Sequence, residues 1–584
     1  RGSCSPNSTP GTSSCRSRRP ARPSRRGGGG SALFGSSAIA GTINIITKEP
    51  LRNSGQLSHT LTALGGGSSF DNNTSLNASL VTDDHRAGLY IFGQNRHRSG
   101  YDYDGDGFTE LPKLKNQTVG FRSYLKTSTY SKLTFEYHHM QEFRRGGDML
   151  DRPPHEAHIA EQLQHSIDGG SLKFDYFSPD EKNRLSIFAS AANTDRDSYY
   201  GPGNDPLKAY GKTTDLTAMG GAQYVHTFDK CFFMPSDLTA GLEYNRDRLK
   251  DNMWGYDRHT DQTVNIYSAF LQNEWKNDRG GILIGGRLDK HNMVDNVIFS
   301  PRANLRFNPT QNINLRLSYS SGFRAPQAFD EDMHIENVGG TVAMIERAKN
   351  LKEEKSQSFS ASADMYHRFG VFQTNFLIEG FYTRLTDVFV LGEPYDRGDG
   401  ILVKPRSNGP GAKVMGLTLE GKVAYLSILQ IQAGLTLQRS RYDEPHKWHD
   451  DAPAEKKIFR TPDTYGYFTA TCTPIKPLSI ALSGTYTGRM LVQRMDITAE
   501  NAELGEMPER KAEAIRTPRF LDLGVKLAYD FKLYKTVDLQ LNGGVQNLFE
   551  SYQKDFDRGA NRDSGYIYGP SLPRSFFAGV KISY

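Results

Sequence analysis

The chain has 584 residues, a formal net charge of +5 and a mean hydropathy of −0.59. It is rich in phenylalanine (32), tyrosine (29) and glycine (57), and it has no run of about eighteen apolar residues. The composition excludes a protein that spans a membrane by helices and favours a β-barrel, which needs aromatic belts and keeps half of each strand polar.

Residues 1–26 differ in composition from the rest of the sequence, because they are rich in Arg, Ser and Pro and contain no acidic residue. Their seven arginines account for the positive net charge, so a nucleic-acid partner is not predicted. We interpret this segment as disordered or read from another frame. The stretch GGGGSALFGSSAIAGTINIITKEP at 27–50 is different again, and we assign 27–52 to a short separate segment that precedes a barrel over 53–584.

From about Gln56 onward, apolar and polar residues alternate in segments typical of strands that have one apolar and one polar face. The polar face carries charges, so it must meet water. Examples of the apolar face are Leu133, Phe135 and Tyr137, then Leu315, Leu317 and Tyr319, then Leu521, Leu523, Val525, Leu527 and Tyr529.

Short turns alternate with long connections along this region, which predicts an antiparallel barrel of about 22 strands. The short turns are predicted near Asp83, Ser131, Asp180, Lys230, Asn277, Pro309, Arg368, Ser427, Pro474 and Lys535. The longest connections, predicted to be structureless, are 98–117, 142–168, 323–355, 386–413, 442–461, 489–516 and 548–574.

The last ten residues, SFFAGVKISY, predict a closing strand. Phe576, Ala578, Val580, Ile582 and Tyr584 share one face, and the strand ends on an aromatic ring. An edge strand of a soluble sheet would show the same alternation.

Several stretches together carry a family resemblance: the segment at 27–50, SPRANLRF at 300–307, SSGFRAP at 320–326, NLKEEKS at 350–356, GVQNLFE at 544–550 and the closing strand. The chain resembles the TonB-dependent outer-membrane receptors over nearly all of 27–584. The resemblance implies an all-β transmembrane barrel, with 27–52 as the C-terminal remnant of a plug domain.

This resemblance also implies a function and a set of partners. The function is ligand-gated active transport of a ferric siderophore, haem or cobalamin across the bacterial outer membrane. The implied partners are outer-membrane lipid, the TonB energy-transducing complex and a metal chelate, haem or corrinoid ligand, and a surface lipoprotein is also compatible. Because most of the plug is expected to be missing, the alternative is a passive pore or a non-functional receptor remnant.

The sequence YDYDGDGFTE suggests a metal site. Asp102, Asp104 and Asp106 have the D-x-D-x-D-G spacing of a calcium loop, and Glu110 follows. The bidentate Glu at loop position twelve is replaced by Lys113. We therefore weigh a structural Ca²⁺, with no other cofactor required, against a solvated acidic loop.

Aromatic residues in the predicted loops are candidates for stacking on a planar or macrocyclic ligand, although loop tips that pack on each other would look the same. They are Tyr199, Tyr200, Trp254, Tyr256, Phe329 and Trp448, with His334 as a further ligand candidate. No Ser/His/Asp set is apparent, and in HEAH the second histidine, His158, comes one position too early for a zinc protease. An enzyme is therefore not predicted.

Overall fold

The computed structural model describes residues 49–202, 209–338, 341–449, 451–497, 510–560 and 562–584. The predicted segment 1–26 and residues 27–48 of the segment 27–52 lie outside these ranges. Among the described residues, no helix has the length and apolar character needed to span a membrane.

The main sheet contains 23 strands, of which one is a three-residue strand in a connection and 22 form the barrel wall. The barrel strands are β1 (Ser54–Leu64), β2 (Ser69–Val81), β3 (Ala87–Arg98), β4 (Thr109–Ser128), β5 (Ser131–Gly147), β6 (Ile159–Phe177), β7 (Asn183–Pro202), β8 (Tyr210–Cys231), β9 (Met234–Met253), β10 (Arg258–Lys276), β11 (Gly280–His291), β12 (Ile298–Thr310), β13 (Ile313–Arg324), β16 (Glu354–Phe369), β17 (Phe372–Thr386), β21 (Ala412–Tyr425), β22 (Leu429–His446), β24 (Thr464–Ile475), β25 (Leu478–Thr487), β28 (Phe520–Tyr534), β29 (Val537–Gln546) and β30 (Ser575–Ser583).

Shorter elements occupy the connections at one end of the barrel. They are β14 (Glu336–Val338), β15 (Thr341–Arg347), β18 (Phe389–Leu391), β19 (Tyr395–Asp396), β20 (Leu402–Asn408), β23 (Glu455–Lys457), β26 (Leu491–Ile497) and β27 (Arg510–Arg516), an α-helix at Asp330–Met333, and 3₁₀ helices at Pro154–Glu156 and Trp254–Tyr256.

Each barrel strand pairs antiparallel with the strands before and after it in the barrel, and β1 pairs with β30 from Leu64 opposite Ser575 to Gln56 opposite Ser583. The ring of strands is therefore closed, and no edge is left unpaired. The predicted all-β, 22-stranded antiparallel barrel is confirmed.

The two faces of the wall have the predicted chemistry. Leu57 and Leu61 on β1 and Phe576 and Ile582 on β30 are exposed on the outer face, as a lipid-facing surface requires. Polar pairs lie on the inner face, where Arg122 on β4 contacts its cross-strand partner Glu136 on β5 at 2.8 Å. The outside of the wall is apolar, and the inside carries paired charges.

All ten predicted short turns lie between consecutive barrel strands at one end of the barrel. Side-chain carboxylates and amides bind the turn backbone. Asp84 accepts the N–H of Arg86 at 3.0 Å, Asp180 accepts that of Lys182 at 3.1 Å, and Asn277 accepts that of Gly280 at 2.9 Å. These local contacts explain why the turns were identifiable from sequence.

The predicted long connections are partly wrong. β4 begins at Thr109, inside the predicted connection 98–117, while β5 and β6 extend into 142–168. Strands as long as the 22 residues of β8 continue the hydrogen-bonded ladder beyond the membrane thickness. The connections 323–355, 386–413, 442–461 and 489–516 contain the short strands and are not structureless.

Candidate functional site

A second, five-stranded sheet, which we call the loop sheet, consists of β14, β15, β18, β19 and β20. It lies in the connections β13–β16 and β17–β21, at the long-loop end of the barrel. Its centre is the parallel pair β15 and β20, in which Met344 lies opposite Val403. Both side chains are buried in one apolar cluster with Tyr199 and Met253 of the barrel strands. The sheet is therefore attached to the barrel wall by a core of its own.

Three of the predicted ligand-binding aromatics belong to this core. Tyr199, Tyr200 and Tyr256 are all buried in it. The hydroxyl of Tyr256 donates to the carbonyl of Tyr200 at 2.7 Å, and the ring of Tyr199 meets that of Tyr210 edge-on with centroids 4.9 Å apart. In this arrangement the three tyrosines support the loop sheet.

The other predicted residues are dispersed. His334 meets the ring of Tyr200 edge-on at 5.3 Å, at the border of the same core. Trp254 is 57% exposed. Trp448 lies apart, in the connection β22–β24, with its ring centroid 6.4 Å from that of Phe459. The predicted aromatics thus do not form one surface.

Phe329 is placed against an arginine that the sequence analysis did not select. The guanidinium of Arg324, the last residue of β13, lies 3.9 Å from the ring centroid of Phe329 and 5.3 Å from that of Phe389. Arg324 has the strand parity of the inner face, since Tyr319 and Leu317 face outward. A cation flanked by two aromatic rings therefore lies at the barrel mouth.

A buried charge cluster connects β7, β8, β9 and β10 near their long-loop ends. Asp251 is 1% exposed, accepts from Arg258 at 2.8 Å and from the Thr213 hydroxyl at 2.6 Å, and lies 3.8 Å from Arg196. Arg258 also donates to the carbonyl of Met333 at 3.0 Å. Arg258, paired with the Asp251 carboxylate, thus links the barrel wall to the connection β13–β16.

The acidic loop 101–110 is folded around its own backbone. Asp102 accepts the N–H groups of Gly105 and Gly107, each at 2.8 Å. One ligand oxygen from each of Asp102, Asp104 and Asp106 lies within 4.8 Å of the others. Three of the four predicted metal ligands are therefore brought together.

Two arginines from the connection β29–β30 bind this acidic loop. Arg562 donates to Asp106 at 2.5 Å and to Glu110 at 3.1 Å, and Arg558 donates to Asp104 at 3.0 Å. Glu110, the fourth predicted ligand, also accepts the N–H of Tyr103 at 2.6 Å. We call these contacts between the two loops the arginine latch. The calcium site stays a prediction, in which Asp102, Asp104 and Asp106 would hold the ion.

Burial by itself would raise the pKa of Asp106, but its partners reverse the effect. The N–H groups of Gly559 and Phe108 and the guanidinium of Arg562 together lower the pKa of Asp106 below its usual value. Asp106 is thus held as a carboxylate at neutral pH, as the latch requires.

A buried tyrosine pair holds the other part of the connection β29–β30. Tyr566 and Tyr568 both donate to the carboxylate of Asp555. Burial, followed by the hydrogen bond to Asp555, raises the pKa of both phenols. Their rings pack with Val492 of β26 and with Phe520, so this connection has its own small core.

A closed barrel of 22 strands with an apolar outer face, a charged inner face and folded loops over one mouth defines an outer-membrane barrel of the size used by plugged transporters. A family model described as "TonB dependent receptor-like, beta-barrel" matches residues 33–548. The chain belongs to this family of bacterial outer-membrane receptors, which are transporters and not enzymes. A search of curated protein sequences finds no match.

Solved structures give the same fold at low sequence identity. The siderophore receptor PirA from Acinetobacter baumannii has a TM-score of 0.72 at 16% identity, over 95% of this chain and 84% of that chain. A variant of the ferric enterobactin receptor PfeA from Pseudomonas aeruginosa, in complex with enterobactin, has a TM-score of 0.70 at 16% identity, over 95% of this chain and 85% of that chain. The ferric-catecholate import receptor Fiu from E. coli K12 has a TM-score of 0.68 at 14% identity, over 95% of this chain and 85% of that chain.

Proposed function

We propose that this chain takes up a ferric siderophore across the outer membrane, with energy from the TonB complex. The supporting observation is the similarity of 95% of the chain to receptors named for ferric enterobactin and ferric catecholates. Haem and corrinoids lack such support. We therefore favour a ferric catecholate as the ligand.

The chemistry of the barrel mouth supports this choice. A ferric catecholate is anionic and presents aromatic rings, so it matches a guanidinium set between two aromatic side chains. Arg324, Phe329 and Phe389 offer that combination. Trp254, His334 and Trp448 are further candidates, whereas the buried Tyr199, Tyr200 and Tyr256 would act by holding the loop sheet.

The test is a binding screen on the purified protein with a ferric tris-catecholate, a ferric hydroxamate, haem and cobalamin. We expect the catecholate to bind tightest, and Arg324→Gln to weaken its binding about tenfold. Phe329→Ala should weaken it as well. Phe232→Ala, at an exposed turn of the opposite end, is the control and should bind normally. Preference for haem or cobalamin would contradict the proposal.

Uptake assays distinguish active transport from the alternative of a passive pore. Cells that express the protein are given the labelled ferric catecholate, with and without an energised inner membrane. Uptake that stops when the energy is removed supports the receptor, while uptake that continues supports the pore. A surface lipoprotein partner stays a prediction, which co-purification from outer membranes would test.

A further inference from the structure

The barrel closes where its first strand, β1, meets its last strand, β30, and we call this contact the seam. The seam pairs nine residues of each strand, whereas the ladder between β6 and β7 pairs nineteen. Ser58 and His59 of β1 form side-chain hydrogen bonds with β2, but among the described residues none joins β1 to β30. Every other pair of neighbouring barrel strands is joined by a turn or a loop. The seam therefore has a short ladder and no covalent connection that limits strand separation.

The two loops of the arginine latch come from opposite sides of the seam. The connection β29–β30 leads into β30, while the connection β3–β4 follows β1, β2 and β3 around the wall. The side chains of Asp106, Glu110 and Arg562 are at most 13% exposed, and the N–H of Gly559 adds a hydrogen bond to Asp106 at 2.7 Å. Removing one partner of such a buried pair is costly, so the arginine latch resists separation of the two loops.

Aromatic rings add a second contact between the same two loops. Tyr103 of the connection β3–β4 meets the rings of Tyr552 and Phe556 edge-on, with centroids 5.2 and 5.6 Å away. The rings of Tyr552 and Phe556 are themselves 5.6 Å apart, and Tyr552 is buried. Aromatic pairs in this geometry contribute beyond the apolar area that they bury. The two loops are therefore joined by charges and by rings.

One ring of the connection β3–β4 reaches the seam itself. Gly65 follows the last residue of β1, and its N–H donates at 3.1 Å to the carbonyl of Arg574, the residue before β30. The buried ring of Tyr101 covers this glycine, because a Cβ added at Gly65 would lie 2.2 Å from it. From the other side, Glu550 of the connection β29–β30 pairs with Arg574 at 2.8 Å. Both loops thus contact the outer end of the seam.

We propose that these contacts lock the closed barrel at the outer end of the seam, in place of the covalent connection that the seam lacks. We call them the seam clasp, which consists of the arginine latch and the rings of Tyr101, Tyr103, Tyr552 and Phe556. Separating β1 from β30 moves the two loops apart, so it breaks the buried ion pairs and the ring contacts together with the backbone ladder. A clasp that ordered only the loops would leave the stability of the seam unchanged when it is broken. The two alternatives therefore predict different protection of β1 and β30.

The experiment is hydrogen–deuterium exchange of the purified protein in detergent, read in the acidic loop 102–108, in β1 and in β30. In Arg562→Gln/Tyr103→Ala, exchange should become at least about tenfold faster in the loop and in both strands. Each single variant should give a smaller increase, and it replaces the double variant if that fails to fold. Tyr103→Phe keeps the ring and should exchange like the wild type. Faster exchange of the loop with unchanged exchange in β1 and β30 would overturn the proposal.

The matched control is Arg494→Gln/Tyr566→Ala. Arg494 pairs with Asp557 at 2.7 Å and lies 5.1 Å from the ring centroid of Tyr566, so this variant also removes an ion pair and a ring contact of the connection β29–β30. Its contacts join that connection to β26, on the side of β30 away from the seam. Exchange of β1 and β30 should therefore stay near that of the wild type. Equal increases in the two double variants would refute the seam clasp.

A second pair of variants leaves the charges of the seam clasp unchanged. Gly65 and Gly66 have φ values of +51° and +79°, so alanine strains the backbone at either position. Only at Gly65 does the added Cβ collide with Tyr101, whereas at Gly66 it meets nothing within 4 Å. Gly65→Ala should therefore speed exchange of β1 and β30 several-fold more than Gly66→Ala, at about the scale of one lost ring contact. Equal exchange in the two variants would contradict the proposal.

Discussion

At the scale of single residues, Arg562 is the more buried of the two arginines in the arginine latch. It is 13% exposed and binds both Asp106 and Glu110. Arg562→Gln leaves two carboxylates without their cation. The free energy needed to open the acidic loop should therefore fall by about 3 kcal/mol. Hydrogen–deuterium exchange of the peptide that spans 102–108 measures this opening.

The matched control for the arginine latch is Arg558→Gln. Arg558 binds Asp104 from the same connection, but its side chain is 67% exposed, so its ion pair is screened by water. Exchange of 102–108 should hardly change in this variant. If Arg558→Gln opened the loop as much as Arg562→Gln, burial would not be what makes the Arg562 contacts strong.

The calcium prediction also belongs to this scale. Calorimetry should detect Ca²⁺ binding to the purified protein, and Asp104→Ala should abolish it, because Asp102 and Asp106 alone are too few ligands for Ca²⁺. Asp261→Asn, which alters an exposed carboxylate elsewhere, is the control. Equal heats for wild type and Asp104→Ala would show that the arginine latch, without a metal, accounts for the acidic loop.

Asp251 provides a second residue-scale prediction. Asp251→Asn leaves Arg258 and Arg196 buried near a neutral amide, which should destabilise the outer ends of β9 and β10 by about 3 kcal/mol. Asp261→Asn removes an exposed ion pair to Lys250 on the same strands and should cost less than about 1 kcal/mol. Amide exchange of the two strands compares the variants, and equal effects would argue against a structural anchor.

At the scale of elements, the loop sheet depends on side chains that the barrel strands provide. Tyr199→Ala removes a fully buried ring from the apolar cluster that also contains Met344 and Val403, so the free energy of unfolding of the loop sheet should fall by about 3–5 kcal/mol. Amide hydrogen–deuterium exchange in β15 and β20 should become faster. Trp254→Ala, at an exposed position of the same region, should leave this exchange unchanged and affect only ligand binding. Normal protection in Tyr199→Ala would show that the stability of the loop sheet does not depend on this ring.

The same elements show where prediction from sequence stops. The turns near Asp83 and Asn277 were predictable because residues within three positions bind their backbone. The arginine latch joins Asp106 to Arg562 across 456 residues, and one buried apolar cluster contains both Tyr199 and Met344. No local pattern encodes either pairing, so the loop sheet was missed and the buried tyrosines were indistinguishable from exposed ones.

At the scale of the whole molecule, the alternation that predicted the barrel also ties each strand to its neighbours. The closing strand was predictable from Phe576 to Tyr584, because period-two alternation that ends on an aromatic is a property of the segment itself. The pairing of this strand with β1 was predictable only from the requirement that the barrel closes, because β1 lies more than 500 residues earlier in the chain. Local chemistry thus gives the strands, and the requirement for no free edge gives their order.

The barrel itself makes a final prediction, on the middle of β28. Val525 has the outward parity of the exposed Leu521 and Leu527, and the adjacent Lys526 faces inward. Val525→Arg would place a cation near the midplane of the membrane and should destabilise the folded barrel by about 2–4 kcal/mol. Lys526→Arg keeps a cation on the wet face and should change stability little. Guanidinium titrations in lipid vesicles measure both variants; equal stability would mean that Val525 does not face lipid.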